Sequence, residues 1–307
     1  MKRFLKSILI LLVLAIVALV LFVCGAALFN GSVGVDERYQ QSRLLLDPPP
    51  PWSGPQTLKV VTFNIQDLPF IGKNRPQRMR AIGTKVRLLN PDVVGFQEAF
   101  VEKDRALLLG ELQAGRLKHA QYYPSGTLGS GLLLVSAFPI TETYFHRYTV
   151  SNPWYKINEG DWWAGKGMAL ARLEIAGAGY LDVYNTHAQA GYGNSAYQEI
   201  ILEQHAEAAG FISKSQVPAS PALVLGDFNS RLDAAPLKKL IAEAKLMRVM
   251  NIDSRIDHIF AVRSKHYAFE VMETAPIEES LNINKRKFSL SDHTGYMSTI
   301  RIVPVTP

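Results

Sequence analysis

Residues 222–229 read Ala-Leu-Val-Leu-Gly-Asp-Phe-Asn, an apolar run that stops abruptly at a glycine, a carboxylate and an amide. The short apolar run Ala222–Leu225 predicts a buried β-strand. In an extended chain, residues i and i+2 project to the same side, so Asp227 and Asn229 can act together. The stretch therefore predicts a strand that delivers two polar side chains to one point.

The same arrangement, an apolar run followed by polar groups, occurs at five other places. These are Thr62-Phe63-Asn64, Gln97-Glu98, Asn185-Thr186-His187, Arg255-Ile256-Asp257 and Ser291-Asp292-His293. Any one of them alone is weak, because a single asparagine at a strand end is usually a turn residue. Six in a fixed order, each at the end of a predicted strand, indicate a shared site.

Predicted strands and helices alternate along this part of the chain. The predicted helices are Pro76–Leu89, Glu102–Leu112, Ser195–Ser213 and Ala235–Leu246. The predicted strands are Leu58–Ile65, Val93–Phe96, Gly131–Val135, Thr141–Tyr148, Met168–Ile175, Tyr180–Thr186, Ala222–Leu225, Arg255–Val262, Tyr267–Glu273 and Gly295–Val303. This pattern predicts an α/β protein with two packed sheets.

The six motifs together resemble the endonuclease/exonuclease/phosphatase superfamily, whose ordered signatures are T-x-N, Q-E, N-T-H, G-D-x-N, R-I-D and S-D-H. The resemblance covers about Leu58–Ile302. It implies a DNase I-like fold, a four-layered sandwich of two packed mixed β-sheets flanked by helices. The motifs are much less specific for substrate, because the same scaffold serves nucleases, inositol phosphatases and sphingomyelinases.

The motifs contain the ligands that a hard metal ion prefers. Phosphodiester cleavage requires positive charge near the phosphoryl oxygens and an activated water. Mg²⁺ takes one or two carboxylates and keeps several waters, so we expect Glu98, with Asn64 as an oxygen ligand, to form the primary site. Asp292 is expected to supply a second carboxylate, to the same ion or a neighbouring one. Mn²⁺ is an expected substitute.

A general base is expected at His293, because a histidine near its reference pKa can accept a proton from water at neutral pH. The resemblance implies that Asp257 orients His293. We assign Asp227 to the positioning of the water or the leaving group.

The remaining polar groups are assigned to substrate binding. Asn229 and His187 are expected to contact the phosphoryl oxygens. Asn185 lies two residues before His187 and so projects to the same side. An alternative role for Asn185, holding the adjoining loop, stays open.

The N-terminal residues 1–29 predict a transmembrane signal anchor. The 22 residues Ile8–Phe29 contain no charge, and a helix of that length spans roughly 33 Å, close to the thickness of the hydrocarbon core. Lys2, Arg3 and Lys6 precede the run, so the rest of the chain is expected on the extracytoplasmic side. A cleaved signal peptide, which would make the protein secreted, is the alternative.

Residues 30–56 predict a proline-rich linker, and residues 57–307 the catalytic domain. Four consecutive prolines, Pro48–Pro51, favour an extended spacer. We interpret the segment as a stalk, with an ordered arm at Arg43–Leu46 as the alternative.

The charge distribution bears on the substrate. Without Lys2, Arg3 and Lys6, the chain has 30 basic and 27 acidic residues, whereas a nucleic-acid enzyme is expected to cluster its basic residues. An exported endonuclease therefore stays as the alternative. An inositol phosphatase is a weaker alternative. Such enzymes carry a W-C-D-R signature near this position, whereas this chain has Arg255-Ile256-Asp257-His258. A catalytically silent binding module is least expected, since the catalytic motifs are intact.

Three further stretches resemble the neutral sphingomyelinase branch, and predict hydrolysis of a membrane phospholipid, sphingomyelin, to ceramide and phosphocholine. They are Gly129-Ser130-Gly131 with its following strand, Gly165-Lys166-Gly167-Met168, and His187-Ala188-Gln189-Ala190. A further feature that favours this branch is the loop Ser151–Gly165, which contains Trp154, Tyr155, Trp162 and Trp163. Such aromatic residues favour the membrane interface, and the alternative is a loop folded over its own apolar cluster.

Overall fold

Two six-stranded β-sheets form the centre of the molecule, in a computed structural model that describes residues 2–32, 36–283 and 285–305. The first sheet has the order β11-β14-β1-β2-β4-β3, the second has the order β5-β6-β7-β8-β10-β9, and β12 and β13 form a separate hairpin. The strands are β1 (Gln56–Asn64), β2 (Val93–Gln97), β3 (His119–Tyr122), β4 (Leu133–Ser136), β5 (Ile140–Arg147), β6 (Gly167–Ile175), β7 (Gly179–His187), β8 (Ala222–Asp227), β9 (Leu246–Arg248), β10 (Asp257–Val262), β11 (Tyr267–Ile277), β12 (Ser280–Ile283), β13 (Arg286–Ser289) and β14 (Gly295–Pro304).

Helices cover the outer face of each sheet. Beyond a 3₁₀ turn at Arg38–Gln41, the helices of the described residues are α1 (Lys2–Ser32), α2 (Arg43–Leu46), α3 (Arg75–Leu89), α4 (Glu102–Gln113), α5 (Asp161–Ala164), α6 (Tyr197–Ser215) and α7 (Ala235–Glu243). Apolar residues of α3 and α4 pack on the first sheet, and those of α6 and α7 pack on the second. A third apolar cluster lies between the sheets. The predicted four-layered sandwich is confirmed.

Parallel strand pairs bring the polar motifs to one edge. β1 runs parallel to β2 with Asn64 opposite Gln97, and β7 runs parallel to β8 with His187 opposite Asp227. Gly226 allows the second pair to come this close, because its φ is +146° and a Cβ there would overlap the backbone of Thr186. The carboxyl ends of four strands therefore meet at the same place.

One predicted helix is too long. The sequence predicts Ala235–Leu246, whereas α7 ends at Glu243 and Leu246 begins strand β9. Lys245, with a φ of +52°, adopts the left-handed conformation that often ends a helix. The apolar residues that follow then pair with β10 instead of continuing the helical face.

Residues 36–56 are packed on the domain, in contrast to the predicted stalk. Tyr39 and Trp52 are buried. The backbone N–H of Trp52 donates to Tyr267 Oη over 2.8 Å, and its indole N–H donates to the carbonyl of Tyr180 over 3.0 Å. Burial of these two aromatic side chains fixes the segment to the domain, and Arg43–Leu46 forms a short helix, as in the alternative of an ordered arm. The prolines Pro48–Pro51 between them stay mostly exposed. The domain boundaries at residues 30 and 57 stay a prediction.

The N-terminal helix α1 is apolar on all sides and exposed. Its segment Arg3–Ser32 has 30 residues and reaches a mean hydropathy of 3.4, sufficient to cross a bilayer. A signal sequence has the same properties, so α1 suits either an anchor or a signal. At its C-terminal end, the Asn30 side chain donates to the carbonyl of Trp162 over 2.9 Å.

Candidate active site

Asn64, at the end of β1, links the two sheets. Its amide nitrogen donates to Glu98 Oε1 over 3.1 Å and to Asp227 Oδ2 over 3.0 Å. Its oxygen accepts the backbone N–H of Gln66 over 3.1 Å. The structure thus brings the predicted residues Asn64, Glu98 and Asp227 together. Asn64 presents its nitrogen to this centre, and the expected role of Asn64 as an oxygen ligand of the metal stays a prediction.

Glu98 lies in a left-handed turn directly after β2, with a φ of +57°. Burial raises the pKa of its carboxyl to about 7, although the hydrogen bond from Asn64 and the charge of Lys166 oppose this rise. A bound cation would favour the ionised carboxylate. Asp292, the other predicted carboxylate ligand, is exposed and adds to the negative charge around Glu98.

His293 and Asp257 form the predicted pair. His293 Nδ1 lies 2.9 Å from Asp257 Oδ2, and its Nε2 lies 3.8 Å from Asp227 Oδ2. Burial lowers the pKa of His293. The hydrogen bond to Asp257 and the charges of Asp227, Asp257 and Asp292 outweigh this effect, so that the pKa of His293 is raised to about 9. The expectation that His293 has a pKa near its reference value is therefore wrong for the metal-free site.

The second histidine, His187, is held differently. Its Nε2 lies 2.9 Å from Lys166 Nζ and 3.4 Å from Asp227 Oδ2. Burial and the charges of Lys166 and His293 keep the pKa of His187 well below its usual value, so the ring is neutral and Nε2 accepts from Lys166. The expected contact of His187 with a phosphoryl oxygen stays a prediction. In this structure, Nε2 of His187 contacts the Lys166 ammonium.

Lys166 is a site residue that sequence reasoning did not select. Its ammonium is buried and contacts Asp161 Oδ1, His187 Nε2 and, over 2.8 Å, the carbonyl of Ala188. Three acceptors use its three N–H groups. The sequence contained a signal, because Lys166 stands between two glycines immediately before a buried strand.

Strand β8 ends at Asp227, and the chain turns at Asn229 instead of staying extended as the i, i+2 argument assumed. The backbone N–H of Asn229 donates to Asp227 Oδ1 over 2.9 Å, and the Asn229 side chain donates to the carbonyl of Ala188 over 2.9 Å. Asn229 has a φ of +47°, a conformation that asparagine tolerates. Asp227 lies beside Asn64 and His293, whereas the expected contact of Asn229 with a phosphoryl oxygen stays a prediction.

Asn185 is buried between the sheets, away from the open edge. Its oxygen accepts from Gln97 Nε2 over 2.7 Å, and its nitrogen donates to the carbonyl of Phe96 over 3.0 Å. These bonds tie β7 to β2. They favour the structural alternative over a contact with substrate.

Arg78, another residue that the sequence did not single out, connects two of the motif-bearing segments. Its guanidinium is buried, donates to the carbonyl of Leu290 over 2.7 Å and also contacts the carbonyls of Ile65 and Gln66. The segment after Asn64 is thereby fixed to the segment that carries Asp292 and His293.

The donor set fits a hard divalent cation. Asp227, Asp257 and His293 each place a ligand atom within 4.8 Å of the others, and Glu98 lies beside them through Asn64. Asp257 Oδ1 is buried and has no hydrogen-bond partner in the part of the chain that the structure describes. Carboxylate oxygens are the ligands that hard divalent cations prefer, so these residues fit such an ion.

The fold and this edge define a class of protein: two mixed sheets packed face to face, with a His–Asp pair and several carboxylates at the ends of the central strands. The chain belongs to the Endonuclease/Exonuclease/phosphatase family, whose sequence model matches residues 61–293. The predicted family is confirmed.

Among similar proteins are neutral sphingomyelinases. A putative neutral sphingomyelinase of Drosophila melanogaster is 29% identical over 277 residues, 81% of this chain and 62% of that protein. Sphingomyelin phosphodiesterase 2 of Rattus norvegicus is 34% identical over 56% of this chain and 41% of its own length. The chain therefore spans less than two thirds of these relatives. Among solved structures, a beta toxin variant of Staphylococcus aureus with bound magnesium ions shares the fold, with a TM-score of 0.63, 20% identity, and coverage of 80% of this chain and 99% of that one.

Proposed function

We propose that this protein is a Mg²⁺-dependent phosphodiesterase that hydrolyses sphingomyelin to ceramide and phosphocholine. The His293–Asp257 pair beside Asp227 carries the proposal, because it combines a proton acceptor, its orienting carboxylate and a second carboxylate within 4 Å of the imidazole. The resemblance to neutral sphingomyelinases supports this choice of substrate.

Mg²⁺ is assigned to Glu98, Asn64 and Asp292, with Mn²⁺ as the expected substitute. When bound, the ion supplies positive charge to the phosphoryl oxygens and offsets the carboxylates that raise the pKa of His293. The remaining roles belong to side chains of this chain.

His293 Nε2 takes the proton from the attacking water, and Asp257 holds Nδ1 so that Nε2 faces the reaction centre. Asp227 positions the water or the leaving group, since its Oδ2 lies 3.8 Å from His293 Nε2. Asn229 and His187 border the same space and are assigned to the phosphoryl oxygens.

The membrane is the expected location of both protein and substrate. Helix α1 would anchor the chain, with the catalytic domain on the extracytoplasmic side because basic residues precede the helix. Trp154 and Tyr155 are exposed and are proposed to contact lipid. Trp163 is buried and packs edge-on against Trp162, so these two residues support the loop.

The test is phosphocholine release from sphingomyelin in mixed micelles by the full chain, with Mg²⁺ or with EDTA. We expect turnover that needs Mg²⁺, is lost in His293→Ala and is kept in His119→Ala, a histidine on the edge strand β3. The same preparations are tested on plasmid DNA. Mg²⁺-dependent nicking without lipid turnover would keep the metal site and refute the substrate.

A further inference from the structure

The turn Leu68–Gly72 carries two apolar side chains that project into solvent. Phe70 is 96% exposed and Ile71 is 70% exposed. Phe70 is more exposed than any other large apolar side chain described for this structure. Two adjacent apolar residues at the tip of one turn form a surface that water solvates poorly.

The backbone holds Phe70 in this outward position. Its φ of +69° lies in the left-handed region, which bulky residues rarely adopt. The N–H of Ile71 donates to the carbonyl of Pro69 over 2.8 Å, and the N–H of Gly72 donates to that of Leu68 over 3.1 Å. Arg75 also donates to the Leu68 carbonyl over 2.9 Å. The turn is thus a built structure, and strain of this kind is a reason to look for a function.

The base of the turn is connected to the catalytic edge. Phe70 follows Asn64 by six residues, so it lies at most about 22 Å from that residue. The base of the loop is fixed to the segment after Glu98, because the N–H of Asp67 donates to the carbonyl of Glu98 over 3.0 Å. The Asp67 carboxylate in turn accepts the N–H of Val101 over 2.9 Å. Movement of the tip relative to the catalytic edge is therefore restricted.

The surroundings of the tip are basic. Residues 68–91 contain no acidic residue, and Lys73 and Arg80 in this range are exposed. Arg75 is paired with Asp67 and Asp104. Lys103 is also exposed, and an open groove of about 470 Å³ is lined by Phe70, Arg75 and Lys103. An apolar tip with cationic residues around it matches a phospholipid bilayer, which accepts apolar groups below its phosphates.

We propose that Phe70 and Ile71 insert into the bilayer and place the catalytic edge against the lipid surface. This lipid-inserting tip is separate from the tryptophan loop at residues 151–165. The role of this tip in catalysis rests on the proposed function. Insertion of the tip into a bilayer does not, because it can be measured without turnover.

The direct test is possible because Cys24 is the single cysteine of the chain and can be replaced. With Cys24→Ser as background, Phe70→Cys is labelled with the environment-sensitive dye NBD, and the full chain is reconstituted in phosphatidylcholine vesicles. Leu88→Cys is the matched control, because Leu88 is also 70% exposed and lies near the other end of α3, about 20 Å from its start.

We expect blue-shifted NBD emission at position 70 that is quenched by lipids carrying a nitroxide in the acyl chain, and neither effect at position 88. Emission at position 70 that matches position 88 would overturn the proposal and leave the tip as a surface for a protein partner.

Kinetics provide a second measurement. The double variant Phe70→Ser, Ile71→Ser is expected to lower turnover of sphingomyelin in vesicles about tenfold and to leave turnover of water-soluble p-nitrophenyl phosphocholine unchanged. The control variant Leu88→Ser should leave turnover of both substrates unchanged. An equal loss on both substrates would contradict insertion. If the unmodified protein turned over neither substrate, the proposed function would fail, and the NBD measurement would still decide the insertion.

Discussion

Two clusters of buried charge in this protein are built in opposite ways. In the first, Arg172 on β6 and Asp182 on β7 are fully buried with Nε and Oδ1 3.0 Å apart. Arg172 also contacts Glu142 and the carbonyl of Ser215, and Asp182 Oδ2 accepts the N–H of Val217 over 3.0 Å. In this cluster, each charged group is matched by protein partners.

The catalytic cluster has an excess of acids. Glu98, Asp227, Asp257 and Asp292 face each other across a small space, and burial raises the pKa of Glu98 and of Asp257 above the usual values. Asp257 Oδ1 has no hydrogen-bond partner within the described ranges. The first cluster is therefore complete in itself, whereas the second has capacity left for a cation and a substrate. Removing charge should thus have opposite consequences in the two places.

The largest effect is expected for Asp257→Asn, which should lower turnover by about 10²–10⁴-fold, because His293 loses the carboxylate that orients it. Since the two residues act as one unit, the double variant with His293→Ala should be little worse than His293→Ala alone. Stability to urea should not fall, because a buried carboxylate of raised pKa is replaced by a neutral group. A parallel loss of stability and turnover would mean that the catalytic pair is structural like the Arg172 cluster.

Arg172→Met should destabilise the fold by about 3–5 kcal/mol, since it removes the buried partner of Asp182, whose pKa burial already raises to about 6. Urea unfolding measures the loss, and turnover per folded molecule should be unchanged. The control is Arg231→Met, where both partners of the ion pair are exposed and the change should be less than about 1 kcal/mol. Equal effects of the two arginine variants would remove the basis of the comparison.

His205 is a third type of buried group, one that stays neutral. Burial lowers its pKa to about 4, although contacts with backbone carbonyls, including that of Phe228, oppose the shift. The unfolded chain, with a pKa near 6.5, binds the proton more readily. The contribution of His205 to the free energy of unfolding is therefore fully present above pH 6.5. It is lost as pH falls from 6.5 towards 4, by about 3 kcal/mol in total.

Urea unfolding at pH 7.5, 6 and 5 measures this dependence. His205→Gln should reduce the slope between pH 6.5 and 4 and leave the slope above pH 6.5 unchanged. An unchanged slope in the variant would show that other buried groups, such as His258, account for the acid sensitivity.

Much of this site was predictable because its residues stand at strand ends. Asn64, Asp227 and His187 follow buried strands, and parallel pairing brings those ends together whatever the loops do. Lys166 and Arg78 could not be selected in this way, because their partners are backbone carbonyls and side chains distant in sequence. The pKa of His293 depends on three carboxylates from different motifs, and only the folded structure shows that they face it.

The same reasoning explains what was wrong in the fold. The extended segment with four prolines had no apolar periodicity, yet Trp52 is buried against Tyr267 with ring centroids 5.8 Å apart. The hairpin β12–β13 was not predicted, since its strands have only four residues each and no side chain in them is fully buried. Single aromatic anchors and short exposed strands are stabilised by contacts that a local pattern does not contain.

The smallest expected effect changes sign with the metal. In EDTA, Glu98→Gln should raise stability, because it removes a carboxylate whose pKa is raised by burial to about 7. With Mg²⁺ at 100 times its dissociation constant, the unmodified protein should gain about 2.7 kcal/mol and the variant much less. Thermal unfolding with and without Mg²⁺ measures both, and Glu102→Gln, an exposed acid four residues away, should change neither. If Glu98→Gln instead destabilised the protein in EDTA and kept the gain from Mg²⁺, Glu98 would be a structural residue, and the ion would have to bind through Asp227, Asp257 and His293.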